Sequence, residues 1–381
     1  MNMVKFFLTG DNHFGMKHDR YPEAKEELIK SRFESLRKMV EKANTENCSY
    51  FVVSGDLFDS TQRITTADVG RVMDILSSFE GTVLIIPGNH DYYTGNEKVW
   101  KDAEKAVEKH SNIIILKEFR KYSFGSGEDA INVYPAFCQS KHSKENNLGW
   151  IRGEEVDENE INIGIAHGAI KGIAPDMKEE YFLMTEEELK AIPMDAWFIG
   201  HVHIPYPGNL KEDEDIEGYR IFNAGTHEQT DLHNNTEGNG FIITVDKEDG
   251  KACVKARRFV SGRIRFYDLS VNVKPGSEDA LKKALEEKVN SLPDSSVIRV
   301  TVSGQAKPEE YGKKETVCRE MFSRFLAWEK DDSSFSEEIT VEKIRAEYAE
   351  SSMAAKLLEE LTDDPVALQM AYGLLNECRD R

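Results

Sequence analysis

The chain has 381 residues, 39% hydrophobic and 31% charged, which suits two or three globular domains and excludes a disordered polymer. No run of about 18 apolar residues occurs, which argues against a membrane-spanning helix and a membrane partner. The formal net charge is −20, so contact with nucleic acid would need bound cations, a local basic patch or a partner to offset repulsion.

The N-terminal run Val4 to Leu8 ends at Asp11 and reads as a strand rather than a signal peptide. Ile29, Phe33, Leu36, Val40 and Ala43 follow at steps of four, three, four and three, an amphipathic helix. Tyr50 to Val53 is the next strand. Val69, Val72, Leu76 and Phe79 repeat the helical spacing before a third strand, Val83 to Ile86. Further apolar runs lie at Ile161 to Ile165, Trp197 to Ile199, Arg220 to Phe222 and Phe241 to Val245. Alternating strands and helices predict an α/β layered fold, and the later, closer runs a second, mixed or antiparallel sheet.

From about residue 263 the character changes. Ile264 to Val273 reads as a strand and Leu281, Leu285, Val289 and Leu292 as a helix. Val297 to Val302 is then a strand, and Val317, Met321, Phe325 and Trp328 a second helix. Asp331 to Ser336 reads as a polar linker. A helix pair closes the chain, the first striped by Val341, Ile344, Tyr348, Ala355 and Leu358, the second capped by Asp364 before Pro365. Two helices alone bury their stripes poorly, so a partner helix is expected there. The division is 1–262, 263–330, a linker at 331–337 and 338–381.

Five of the early runs end in a polar cluster: Asp11-Asn12-His13, Ser54-Gly55-Asp56-Leu57-Phe58-Asp59, Pro87-Gly88-Asn89-His90-Asp91, Ala166-His167-Gly168 and Gly200-His201-Val202-His203. Ligand sites gather at the carboxyl ends of strands in such sheets. In extended backbone, residues i and i+2 share a side, so Asp11 with His13 and His201 with His203 can each offer two ligands to one cavity. Nitrogen and oxygen donors without sulfur suit Mn²⁺, Fe²⁺ or Zn²⁺. Seven candidates (Asp11, His13, Asp56, Asn89, His167, His201, His203) are too many for one ion and fit two, with a bridging carboxylate. Glycines beside Asp56, Asn89 and His201 are expected to let the backbone turn sharply. His18, His110, His142 and His227 read as structural. The five cysteines (Cys48, Cys138, Cys253, Cys318, Cys378) are odd in number and widely spaced, against a disulfide framework or thiolate zinc site, and a cytoplasmic location is expected.

The ordered set Asp-x-His, Gly-Asp, Gly-Asn-His-Asp, lone His and Gly-His-x-His resembles the calcineurin-like metallophosphoesterases over about residues 4–245. That resemblance implies Asp11, His13, Asp56 and His203 on one metal, and Asp56, Asn89, His167 and His201 on the other. It implies catalytic His90 beside the scissile phosphate, protonating or stabilising the leaving oxygen. The segments around Asp56 and Asn89, the chain length, the small cap and the helix pair are similar to the SbcD family of double-strand-break repair nucleases. The implied fold is α/β, a four-layer metallophosphoesterase sandwich of two mixed β-sheets flanked by helices, with a small α+β cap domain and a C-terminal helix pair.

That likeness further implies a homodimer using two Mn²⁺ ions, with Mg²⁺ or Fe²⁺ as substitutes. Its substrates would be double-stranded DNA ends, degraded 3′ to 5′, and single-stranded DNA, cut internally. Its partner would be an SbcC-type ABC ATPase whose coiled coil the helix pair grips. Asn12 replaces the Trp common within Asp-x-His. Asp59 stands where many relatives carry a phosphate-contacting His. Asp91 is expected to orient His90, and both Asp59 and Asp91 also suit turn or capping roles. Arg257, Arg258, Arg263 and Arg265 could form a DNA-facing edge or be ordinary exposed strand arginines. Two alternatives stand beside the nuclease: a phosphodiesterase on a non-DNA substrate, and a scaffold bridging ATPases at DNA ends.

Overall fold

The computed structural model describes residues 2–126, 130–173, 178–208, 210–274 and 279–379. It comprises two compact units, Met1–Tyr267 and Asp268–Arg381. The first opens with β1 (Asn2–Thr9), α1 (Lys25–Thr45), β2 (Tyr50–Val53) and α2 (Thr66–Ser77). β3 (Thr82–Ile85), α3 (Lys98–Val107), β4 (Ile113–Ile115) and β5 (Tyr122–Phe124) follow. Next come β6 (Ile131–Ala136), β7 (Ile161–His167), α4 (Glu186–Ala191) and β8 (Ala196–Gly200). β9 (Asp215–Glu217), β10 (Ile221–Asn223), β11 (Asn239–Glu248) and β12 (Lys251–Val260) complete its strands.

These strands build two mixed sheets, ordered β4-β3-β2-β1-β11-β12-β9 and β10-β8-β7-β6-β5. β1 to β4 run parallel, with β11 antiparallel to β1; β6, β7, β8 and β10 run parallel, with β5 antiparallel to β6. The alternation along β1 explains the layering. Val4, Phe6 and Leu8 face Ile163, Ile165 and Phe198 of the second sheet, while Phe7 faces the helices with Phe51 and Val53. α1, α2 and α3 cover the first sheet through Leu36, Val72 and Trp100. The far face of the second sheet is covered by α4 and irregular segments, through Leu148, Ile151 and Leu189 against Trp197. The expected four-layer α/β sandwich is therefore present. β4, β5, β6, β9 and β12 were not among the predicted strands. Pro135 argues against an interior strand, yet β6 lies between β5 and β7, where the Pro135 carbonyl accepts the Trp150 indole N–H at 3.1 Å.

β13 (Arg265–Val273) carries the chain across the division, five residues beyond the expected boundary at 262. The second unit then holds α5 (Ala280–Val289), β14 (Ser296–Ala306), α6 (Pro308–Tyr311), α7 (Lys314–Phe322) and β15 (Ala327–Glu337). Its sheet order is β13-β14-β15. The predicted linker at 331–337 is part of β15, a correction with a simple cause. A strand with one solvated face tolerates polar residues, and here β14 pairs with the backbone while Phe335 alone turns inward. Asp332 is held by Lys314 at 2.8 Å and Lys330 at 3.1 Å. Trp328 likewise belongs to β15, because α7 ends at Phe322.

The predicted closing helix pair is three helices: α8 (Val341–Glu347), α9 (Met353–Glu360) and α10 (Pro365–Arg379). The break follows from Ser352, whose hydroxyl accepts the Ala355 amide at 3.1 Å and starts a new helix. Asp364 caps α10 as expected, taking the Val366 and Ala367 amides at 3.2 and 3.1 Å. The three share a small core of Ile339, Ile344, Ala355, Leu358 and Leu368. Among the described residues, no helix is long and apolar enough to cross a membrane.

His227, fully buried in the first unit, is structural as expected. Its Nε2 donates to the Arg32 carbonyl at 3.0 Å, its Nδ1 has no hydrogen-bond partner, and burial holds it well below the ordinary imidazole pKa. A depressed histidine binds protons only after unfolding, so its stabilisation is intact above pH of about 6.5 and is lost on acidification. The loss amounts to about 1.4 kcal/mol per pH unit for one such group. His227→Gln is expected to shallow the fall in urea-denaturation stability between about pH 6.5 and 5 by that amount; an unchanged slope would contradict it.

Candidate metal centre

All five clusters meet at one rim, at the carboxyl ends of β1, β2, β3, β7 and β8. The route there differs from the extended geometry expected for Asp11 and His13. Asp11 (φ 49°), His13 (φ 46°), Asp56 (φ 51°) and His201 (φ 102°) all have left-handed backbone, which costs a non-glycine residue about 1–3 kcal/mol. The loops brace one another against that strain. The Asp11 amide donates to the Gly55 carbonyl at 3.0 Å, and the His13 amide to the Asp56 carbonyl at 2.9 Å.

Three overlapping ligand groups result among the described residues; the middle one, His13, Asp56 and His90, shares a member with each of two ligand sets. Asp11, His13 and His203 form one, with the Nε2 atoms of the two histidines 3.1 Å apart. Asp56, His167 and His201 form the other, joined by Asn89, whose Oδ1 lies 3.0 Å from His167 Nε2 and 2.9 Å from His201 Nδ1. Asp56 belongs to both, since its Oδ2 lies 3.4 Å from His167 Nε2 and 3.9 Å from His13 Nε2. All seven candidate ligands are thus brought together.

The donor chemistry fits divalent cations. His167 Nδ1 sits 2.8 Å from the Ser54 carbonyl, an acceptor, so that nitrogen carries the ring proton. Nε2 then presents a lone pair toward Asn89 Oδ1 and Asp56 Oδ2, which are acceptors too, and Asp56 Oδ2 is buried with no hydrogen-bond partner. Acceptors facing acceptors in a buried site require a cation or a proton between them. Burial alone would lower the His167 pKa, but Asp56 and Asp11 raise it to about 9; burial works against ionised Asp56, yet His167 and His13 hold it far below the usual carboxylate range. Burial raises the Asp11 pKa, and it lowers those of His13 and His201, the latter to about 3. His13 and His201 are thereby held as the neutral imidazoles that bind metal, while His167 must give up its added proton for a cation to take its place beside Asp56.

His90 stands at the mouth, half-buried, its ring 4.8 Å edge-on from that of His13. Its amide donates to Asp56 Oδ1 at 2.7 Å, and its Nδ1 donates to the Asp59 carbonyl at 3.2 Å, leaving Nε2 free of that bond. The expectation that Asp91 orients His90 is corrected. Asp91 is fully buried and accepts the amides of Gly88 (2.6 Å) and Phe58 (3.0 Å), so it braces the loop that carries Asn89. Asp59 supplies the orienting group through its backbone and places its carboxylate 3.6 Å from His13 Nδ1. The glycines also differ in part from expectation. Gly55 is left-handed (φ 98°), but Gly88 serves close approach, since a Cβ there would stand 2.2 Å from Asp56 Oδ1.

Sequence reasoning missed three residues at this site. Ser54 stood at the head of the Gly55-Asp56 cluster with no role assigned to it. Tyr181, whose ring stacks on His201 at 5.0 Å, gave no sequence signal. Arg32 did give one, as a charged residue in line with Leu28 and Leu36 on the apolar face of α1.

Residues 4–205, more than half of the chain, match the calcineurin-like phosphoesterase family. The chain belongs to that family. It is similar to the uncharacterized metallophosphoesterase YhaO of Bacillus subtilis (strain 168), with 28% identity over 242 residues. That similarity spans 57% of this chain and 57% of YhaO. Among solved structures, a dimetal phosphatase from Danio rerio is similar at 12% identity and TM-score 0.36, covering 68% of this chain and 99% of that one. Purple acid phosphatase PPD1 from yellow lupin (Lupinus luteus) seeds is similar at 13% identity and TM-score 0.39, covering 68% and 52%.

Gly88→Ala is expected to push Asp56 from its shared position and reduce Mn²⁺ binding in calorimetric titration by at least about tenfold, with the fold retained by circular dichroism. Wild-type affinity in that variant would show that the close approach is dispensable.

Proposed function

We propose that this chain hydrolyses phosphodiesters with two divalent cations and is the nuclease subunit of an SbcCD-type DNA double-strand-break repair complex. The observation that carries the hydrolytic reading is Asp56 shared between two ligand groups, with His90 at their mouth. Asp11, His13, Asp56 and His203 would hold one cation, and Asp56, Asn89, His167 and His201 the other. A bound pair supplies charge neutralisation at the phosphate and a water acidified toward neutrality. The chain's own contribution is His90. With Nδ1 committed to the Asp59 carbonyl, Nε2 is the atom that delivers a proton to the departing oxygen.

The DNA reading rests on the ordered motifs around Asp56 and Asn89 and on the second unit. The tail exposes Met353, Leu357, Val366, Met370 and Leu374, the last three at steps of four on α10. That face suits the coiled coil of an ABC ATPase. Manganese dependence, 3′ to 5′ exonuclease action on duplex ends, endonuclease action on single strands and a homodimer complete the proposal.

One observation favours the second reading, a phosphodiesterase on a non-DNA substrate. The four arginines weighed as a DNA-facing edge are engaged internally: Arg257 with Glu46, Arg258 and Arg265 with Glu237, and Arg263 with Glu34. Turnover of end-labelled duplex DNA against a chromogenic phosphodiester separates the two, and the nuclease reading expects Mn²⁺-dependent release of nucleotides from 3′ ends. His90→Gln should lower that turnover by about 10²–10⁴-fold with Mn²⁺ still bound; full activity would remove His90 from catalysis. Met370→Glu with Leu374→Glu should abolish co-purification with an SbcC-type ATPase while sparing turnover, and retained binding would move the docking face elsewhere.

A further inference from the structure

Arg32 lies on α1 and is 2% exposed, among the buried residues Leu28, Phe33 and Leu36. A guanidinium keeps its charge and is expensive to bury, so its contacts reveal what retains it. Nε, at 3.1 Å, and Nη2 both donate to one acceptor, the main-chain carbonyl of Asn12. Nη1 is buried without a hydrogen-bond partner, so the side chain spends its fork on that single oxygen.

Asn12 sits between Asp11 and His13, the two left-handed residues of the first ligand group. Backbone bonds hold the amides around it: Asp11 to Gly55, His13 to Asp56, and Phe14 to Leu57. Among the described residues, none of these loop bonds reaches the Asn12 carbonyl, which the two left-handed turns direct inward. An unsatisfied buried carbonyl would favour relaxation toward extended backbone, and Asp11 and His13 would then diverge.

We propose that Arg32 is a positioning residue, whose paired N–H groups anchor the Asn12 carbonyl and lock Asp11 and His13 in the backbone that aims both at one cation. The proposal rests on the two-metal reading above. Asn89, His167 and His201 hang from other loops, so Arg32 acts mainly on the first ligand group, although Asp11 also accepts the His201 amide at 3.0 Å and Asp56 is shared. A lysine would keep the charge but lose the planar fork.

The test is Mn²⁺ titration of the full chain followed by electron paramagnetic resonance, which counts bound ions and distinguishes a spin-coupled pair from single ions. Wild type should bind two and show coupling; a wild type that binds none overturns the two-metal reading and this proposal with it. Arg32→Met should keep one ion at near wild-type affinity, weaken the other by about 10–100-fold and replace the coupled signal with that of a single ion. Equal or tighter binding of both ions, or uniform weakening of both, overturns the positioning role. Should the methionine variant not fold, Arg32→Lys decides: a smaller loss confined to one ion supports the proposal, and wild-type binding of both overturns it.

Discussion

Asp56 is 1% exposed, and a carboxylate so placed persists as an anion only among groups that stabilise it. Its Oδ1 accepts the His90 amide, while Oδ2 faces imidazole nitrogens of His13 and His167 without a hydrogen bond of its own. His13 follows β1 and His167 ends β7, strands of different sheets. Their meeting at one oxygen requires the sheets to lie face to face with the carboxyl ends of both strands at the same rim. The sandwich and the site are one geometric requirement.

The end of the sandwich away from that rim is pinned by a second buried charge. Lys247 on β11 donates to Asp195 Oδ2 at 2.8 Å and to the Glu160 carbonyl at 2.6 Å, and the same Asp195 oxygen accepts the Asn162 amide at 2.8 Å. This joins the first sheet to the starts of β7 and β8. Between pin and rim, contacts such as Phe6 edge-on to Phe198, with centroids 5.3 Å apart, supply non-directional adhesion. Adhesion alone would permit sliding, whereas polar bonds at both ends fix the relative position of the sheets. Only a frame so constrained can hold four left-handed ligand residues in place.

The ligand roster was legible because each candidate ends an apolar run, and strand ends are where polar residues need a reason to cluster. The backbone that unites them was not. Extended spacing predicts that Asp11 and His13 share a side, while the molecule achieves this through two left-handed turns whose cause, the Arg32 fork, lies 20 residues away. Asp91 was misread for a related reason: adjacency to His90 suggested a contact, but its carboxylate turns back to Gly88 and Phe58. In the second unit, Asp331 to Ser336 looked like a linker because composition speaks for side chains, and the ladder with β14 concerns only the backbone. The helix stripe from Val341 to Leu358 concealed a break, since a serine cap costs the pattern a single position.

Charge sets the terms on which a polyanion could be received. With a net −20 and the arginines of β12 and β13 closed onto Glu46 and Glu237, the first unit presents no broad attraction along that edge. At the rim the balance reverses on metal binding. Two divalent cations would bring four positive charges against the two carboxylates of Asp11 and Asp56, leaving a local surplus at the one place where a phosphate must sit. Asp59, half-buried beside His13, trims that surplus. A phosphate ester would therefore be held by the centre more than by the surrounding surface.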